Sequence, residues 1–205
     1  LARAIPEFTN VPADFDSWPN IRKARYIARL FSRDGGSLTF GSTTTLIEKM
    51  EQIRRPFGLC SDHVEVFLAL CNIFDVPAAE VSITNHTVAR VWSRTQQQWV
   101  FIDPQFCLMA KGPDDRYLSL LQMREIYFGG GTVQFDFFGN SNQRFAREDP
   151  RQCDIYNRPD DFSDIILTNG NNVLEVDQYR RRLAWIPKPV RPLIYFAFGR
   201  MPGYQ

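Results

Sequence analysis

The stretch CSDHVEVFLALCNIF, residues 60 to 74, constrains the fold more than any other part of the chain. Cys60, Val64, Phe67, Leu68, Cys71 and Phe74 recur at i, i+4, i+7, i+8, i+11 and i+14, which on a helical period is one unbroken apolar face. A helix with such a face packs into a core along its whole length. Its first residue therefore stands against something buried, and that residue is a cysteine, two positions after Gly58.

The flanking segments say what the helix packs against. SWPNIRKARYIARLF predicts an amphipathic helix with Ser17 as cap, Pro19 in the first turn, Ile21, Tyr26, Ile27, Leu30 and Phe31 on its apolar stripe, and an end at DGG. STTTLIEKMEQI predicts a second helix capped by Ser42 or Thr43. After Pro77 the period changes to two, and AAEVSI, HTVARVW and QWVFID read as short strands between polar turns. Helices followed by a strand meander predict an α+β domain with an antiparallel sheet.

Beyond Pro104, DRYLSLLQMREIYF predicts a helix and GGGTVQFDFFGNSN a loop with a short strand. Residues 141–162 read as polar connection, NNVLEVDQYRRRLAWI as a helix or strand, and RPLIYFAFG as a final strand. There is no internal repeat, and one domain is expected over residues 1–205, with its core over about 17–110 and a part from about 111 completing the fold.

The bulk numbers narrow the partners. A chain of 205 residues with 44% hydrophobic content supports one sizeable core, and a net charge of +1 gives no reason to expect nucleic acid or an anionic membrane. No apolar run is long enough for a membrane span. The chain begins with Leu1 and carries no signal-peptide pattern, so a leader or flanking segment is expected to have been removed, leaving the compartment open. Arginine greatly outnumbers lysine, and the run Arg180, Arg181, Arg182 reads as a solvated face pairing with Asp160, Asp161 or Asp177. The four cysteines do not form a disulfide framework. Cys60 and Cys71 lie about 16 Å apart on one helix, at ~1.5 Å per residue, which forbids a bridge, whereas Cys107 and Cys153 remain a possible pair.

A nucleophilic cysteine needs its thiolate, and a helix N-terminus or a nearby imidazolium supplies it. Cys60 has the first by position, since the unpaired N–H groups of the opening turn carry about half a positive charge and can also hold an oxyanion next to the sulfur. The chain has only two histidines, His63 and His86. His86 opens HTVARVW, and Asp103 closes QWVFID.

The hairpin register decides whether these two meet. With Arg94 and Thr95 as a two-residue loop, His86 faces Asp103 directly; with Arg94 to Gln97 as a four-residue loop, the two are diagonal neighbours on one face. A three-residue loop without a bulge puts them on opposite faces. Arg-Thr is poor chemistry for a tight primed turn, which favours the longer loop at least equally.

GLCSDHVEVFLALCNIFDVPAAEV, NHTVARVW and QWVFIDP together resemble the core of the transglutaminase-like superfamily, a branch of the papain-like cysteine enzymes. The resemblance covers residues 58–104 and implies a papain-like fold with the nucleophile helix packed on an antiparallel sheet. It implies Cys60 as nucleophile, His86 as general base and acid, and Asp103 as the group that orients the imidazole. Asp62 matches a common acidic position after the family's cysteine. Thr87 and Val88 depart from the alanine and tryptophan usual after the histidine, which leaves the substrate class open.

The expected function is a cysteine-dependent enzyme acting on a peptide-like amide or other acyl group through a thioester. Hydrolysis is preferred, transglutaminase or other acyl transfer is the alternative, and no metal or organic cofactor is required. Gln52, Trp18 and Asn85 are candidates for a second oxyanion donor. His63 is an alternative base without an orienting partner, expected instead to contact substrate or solvent. A zinc site through Cys60 and His63 lacks a second ligand pair, and no clustered carboxylates resemble a calcium loop. Phe137 and Phe138 are candidate cleft walls, set against ordinary core packing. A non-catalytic binding domain, or an accessory protein of the cell envelope or of polysaccharide, stands as the other class, with an incomplete or blocked triad as its mark.

Overall fold

The computed structural model describes residues 11–31, 45–54, 59–84, 86–139, 156, 162–168, 170–182, 184–187 and 190, the side chains of Phe31, Gln52, Arg54 and Tyr179 aside. The expected final strand, the DGG stop, Cys153 and most of 141–162 lie outside them. Among the described residues, five α-helices and six strands follow in the order α1 Asn20–Phe31, α2 Leu46–Arg54, α3 Cys60–Ile73, β1 Ala78–Ile83, β2 His86–Ser93, β3 Gln98–Ile102, β4 Leu108–Lys111, α4 Leu120–Phe128, β5 Gln134–Phe137, β6 Ile166–Leu167 and α5 Val173–Arg182. The architecture is α+β with an antiparallel sheet.

Local chemistry sets the boundaries, and at three helix starts it differs from the expectation. Ser17 does not cap α1: its hydroxyl donates to the Asp14 carbonyl within a 3₁₀ turn over Phe15–Ser17, and α1 starts after Pro19, whose carbonyl accepts from Lys23 N–H. Thr45, rather than Ser42 or Thr43, precedes α2. Its N–H donates to Glu48 Oε2 at 2.9 Å while its Oγ1 accepts from Glu48 N–H, a reciprocal capping box. The expected helix around residue 120 is shortened in the same way, because Ser119 and Gln122 form a capping box and the helix begins only at Leu120.

Helix α3 stops by a Schellman arrangement. Asp75 has φ +52°, its N–H and that of Val76 turn back to the carbonyls of Asn72 and Cys71, and the chain leaves for β1.

The main sheet has the order β3-β2-β1-β6. β1 and β2 pair from Ala78↔Val91 to Ile83↔His86, so Thr84 and Asn85 alone connect them. β2 and β3 pair from Ala89↔Ile102 to Ser93↔Gln98, which fixes the four-residue connection Arg94–Gln97. Gln97 closes that connection at φ +53°, a left-handed residue that re-aims the chain into β3. β4 and β5 form a separate two-stranded sheet.

Both faces of the main sheet are covered. Ala89, Val91, Val100 and Ile102 pack with Ala24, Ile27 and Ala28 of α1, Leu46, Met50 and Ile53 of α2, and the length of α3. Val81, Val88 and Phe101 pack on the other side with Leu120 and Met123 of α4, Tyr156 and Phe162. Phe138 belongs to the first cluster, buried in the core rather than lining a cleft.

α3 is buried on more than its apolar face. Asp62, His63 and Glu65 are buried too, and an ionic network accommodates two of them. Lys49 Nζ lies 2.8 Å from Asp62 and 3.0 Å from Glu65, and Arg180 of α5 reaches Glu65 at 2.5 Å. Asp177 Oδ1 accepts the Leu46 N–H at 2.7 Å, and its other oxygen pairs with Arg181. Arg180 is therefore a buried strut, not part of a solvated face, since two cations and two carboxylates neutralise one another where water is excluded. α5 thereby ties α2 and α3 together and fixes the start of α3.

Candidate active site

Cys60 opens α3 with partial exposure, as the apolar period requires. The first intrahelical bonds run from Asp62 N–H and His63 N–H to the Leu59 carbonyl. The N–H groups of Cys60 and Ser61 precede them and have no acceptor among the described residues. Asp62 Oδ2 reaches back to the Leu59 N–H at 3.0 Å while Oδ1 holds Lys49. Asp62 thus caps the start of α3 and pairs with Lys49.

His86 and Asp103 meet diagonally across the β2–β3 hairpin, as the four-residue connection requires. His86 Nε2 lies 2.7 Å from Asp103 Oδ2, with both side chains buried. The imidazole is held between the Phe106 ring, stacked at 5.6 Å between centroids, and the edge of Tyr156 at 5.9 Å. His86 and Thr87 lie close enough to the Cys60 thiol to lower its pKa.

Asp103 is wholly buried and accepts from four donors. Gln105 N–H at 2.8 Å and Phe106 N–H at 3.2 Å reach Oδ1, an Asx turn that Pro104 favours because it has no N–H of its own. His86 and the Tyr156 hydroxyl share Oδ2. The Asp103 backbone exchanges two hydrogen bonds with Leu108, at 2.8 and 3.1 Å, so the turn carrying the carboxylate is closed at both ends.

The electrostatics follow from these contacts. Burial pushes the Cys60 thiol up, but the His86 imidazolium and Thr87 overcome it and the net shift is downward. Burial opposes charge on His86 as well; the Asp103 carboxylate, its hydrogen bond and the Cys60 thiolate outweigh it and raise His86 to about 10. Asp103 is held below its ordinary value because His86, Tyr156 and Phe106 N–H together exceed the burial cost. The contacts thus shift both groups towards the thiolate–imidazolium pair.

The other expected residues lie elsewhere. His63 is 3% exposed with its Nε2 buried and unpartnered among the described residues, and burial, which outweighs the nearby Asp103 and Asp62 carboxylates, pushes it down to about 4, so it is neutral at pH 7. The Trp18 indole N–H donates to Asp14 at 2.8 Å. Trp18 also sits near Asn20, whose side chain bonds the Trp92 carbonyl, and Trp92 is about 20 Å along β2 from His86 at ~3.3 Å per residue, so Trp18 cannot serve an oxyanion at Cys60. Asn85 and the side chain of Gln52 lie outside the described residues. Among the described residues no group of three or more His, Cys, Asp or Glu is arranged to hold a metal, and no helix is long and apolar enough to cross a membrane.

Three neighbours of the site are absent from the sequence expectation as contributors: Thr87, Phe106 and Tyr156. Phe106 is legible in retrospect, because an Asx turn over Asp-Pro-Gln-Phe aims the fourth residue back over the strand end. Tyr156 has no local signal, since it arrives from 53 residues downstream. The sequence matches no protein-family model, and comparison with curated proteins gave no match.

Proposed function

We propose that this protein is a cysteine-dependent acyl enzyme of the transglutaminase-like, papain-like kind, hydrolysing a peptide-like amide through a thioester. The observation that carries the reading is a thiol at a helix start beside an imidazole, whose far nitrogen is held 2.7 Å from a carboxylate saturated by four donors. A structural cysteine requires none of this.

In the proposed reaction the Cys60 thiolate attacks the carbonyl carbon, and the oxyanion is held by the Cys60 and Ser61 N–H groups. His86 gives its proton to the leaving amine as the C–N bond breaks, which leaves a thioester and a neutral imidazole. His86 then takes a proton from water; the hydroxide displaces the thiolate, and carboxylic acid and enzyme are released. Asp103 stays ionised and keeps the imidazole in place. An amine or alcohol in place of water would make the same residues an acyltransferase.

The test is intact-mass trapping with a panel of activated acyl esters and peptidyl amides. The expected result is a single acyl adduct on Cys60 that decays faster in the wild type than in His86→Ala. Failure to acylate Cys60 with any activated ester, while another residue is acylated, would overturn the reading.

A further inference from the structure

The sheet face that carries His86 leads to a second concavity near the other end of β2. A groove of about 330 Å³ is bounded by Val81, Trp92, Trp99, Leu121 and Leu167, with Arg90 in its wall. Leu121 and Leu167 are 49% and 39% exposed, so apolar surface here is open to solvent. Arg90 is four residues from His86, about 13 Å along the strand at ~3.3 Å per residue, which separates this groove from the Cys60 site.

Arg90 is placed as a ligand-binding cation would be. Its guanidinium stacks on Trp99 at 4.6 Å from the ring centroid, and Nη2 donates to the Thr168 carbonyl at 2.7 Å. Its Nε is buried without an acceptor. Among the described residues no carboxylate pairs with it. Glu80 follows Ala79, the cross-strand partner of Arg90, and so points to the opposite face of the sheet. Asp75 lines an adjoining cavity that Arg90 also touches, but forms no ion pair with it. Among the described residues this guanidinium in an apolar groove has spare donors, a neutral carbonyl as acceptor and no anion. A planar carboxylate matches its donor fork.

We propose that this groove binds a small apolar carboxylate, its hydrocarbon body against Trp92, Trp99, Leu121 and Leu167 and its carboxylate on Arg90. The proposal is independent of chemistry at Cys60. Such a site, mostly apolar with a single orienting charge, has the usual composition of a small-molecule pocket.

Calorimetric titration of the full chain with decanoate, decanol and decylamine, each below its micellar concentration, tests it. Decanoate should bind about tenfold or more tighter than decanol, the range of a hydrogen bond to a charged group, and decylamine more weakly than both. Arg90→Gln should reduce decanoate to the level of decanol. Because that variant also gives up the bond to Thr168, Leu121→Glu is the second variant: at an exposed helix position it should keep the wild-type melting temperature yet weaken decanoate at least tenfold by placing a like charge in the groove. Cys60 alkylation should be unchanged in both. Equal binding of decanoate and decanol, a decanoate preference retained in Arg90→Gln, or no decanoate binding at all would overturn the proposal.

Discussion

Replacing Tyr156 with phenylalanine removes one oxygen and keeps the ring. The ring is wholly buried and packs 5.7 Å from Phe101, 5.5 Å from Phe135 and 6.4 Å from Phe162, centroid to centroid, and phenylalanine preserves all three contacts. What is lost is the hydroxyl's hydrogen bond to Asp103 Oδ2, the same oxygen that holds His86. A hydrogen bond to a charged group contributes about 1.5–3 kcal/mol, and no water replaces it around a carboxylate with no exposure. Urea unfolding at pH 7 should therefore show Tyr156→Phe less stable by that amount.

The sign with pH is also fixed. Tyr156 is one of the groups that hold Asp103 below its ordinary value, and a depressed carboxylate contributes stability above about pH 3.8 that is lost as pH falls through its folded pKa. The deficit of the variant should be largest at neutral pH and narrow below pH 4. If about 1.4 kcal/mol of the bond serves to orient His86, iodoacetamide labelling of Cys60 at pH 7 should slow about tenfold. Phe162→Leu, which disturbs the same ring cluster without touching Asp103, should cost stability and leave labelling unchanged. A Tyr156→Phe deficit below about 0.5 kcal/mol with unchanged labelling would refute the argument that Asp103 depends on its fourth donor.

Three further outcomes follow from the packing. Lys49→Met leaves Asp62 without its cation and Glu65 with Arg180 alone, and should cost about 3–5 kcal/mol in urea unfolding; adding Asp62→Asn should recover part of it. His63, pushed down to about 4 by burial, remains neutral when the unfolded chain is already protonated. Its contribution is complete above pH 6.5 and is lost as pH falls towards 4, so His63→Leu should gain about 2 kcal/mol on the wild type between pH 7 and pH 5; an unchanged difference would refute the assignment. Asp75→Gly at the left-handed end of α3 should raise stability by about 1 kcal/mol, seen as a higher thermal midpoint, because glycine adopts φ +52° without side-chain strain.

The parts of the molecule that short-range periodicity governs are legible in the sequence. The burial of α3, the strands around His86 and Asp103, and the switch from helices to a meander all rest on spacing within a dozen residues. Of the three hairpin connections the sequence allows, those of two and four residues put His86 and Asp103 on one face and that of three does not; the structure takes the four-residue one, closed by left-handed Gln97.

What was not legible depends on partners distant in sequence. Arg180 reads as a surface cation until α5 brings it to Glu65, 115 residues away. Asp62 reads as a site residue until Lys49 and Leu59 take its oxygens. His63 reads as solvent-facing because polar residues of an amphipathic helix are normally exposed, whereas this helix is enclosed nearly all round. Trp18 is a candidate by residue type alone, and type carries no information about which end of β2 it packs against.

The central claim is that Cys60 is a thiolate at neutral pH because His86 and the start of α3 make it one. The direct measurement is the pH dependence of iodoacetamide labelling, read for each cysteine by mass spectrometry in the wild type, His86→Ala and His63→Ala. Cys60 should label rapidly well below the reference thiol pKa of about 8.5, while wholly buried Cys71, whose thiol burial pushes well above its ordinary value, stays inert. His86→Ala should move the Cys60 profile up towards that reference, and His63→Ala should leave it in place. A Cys60 as inert as Cys71, or a profile that shifts with His63 and not with His86, would contradict the account.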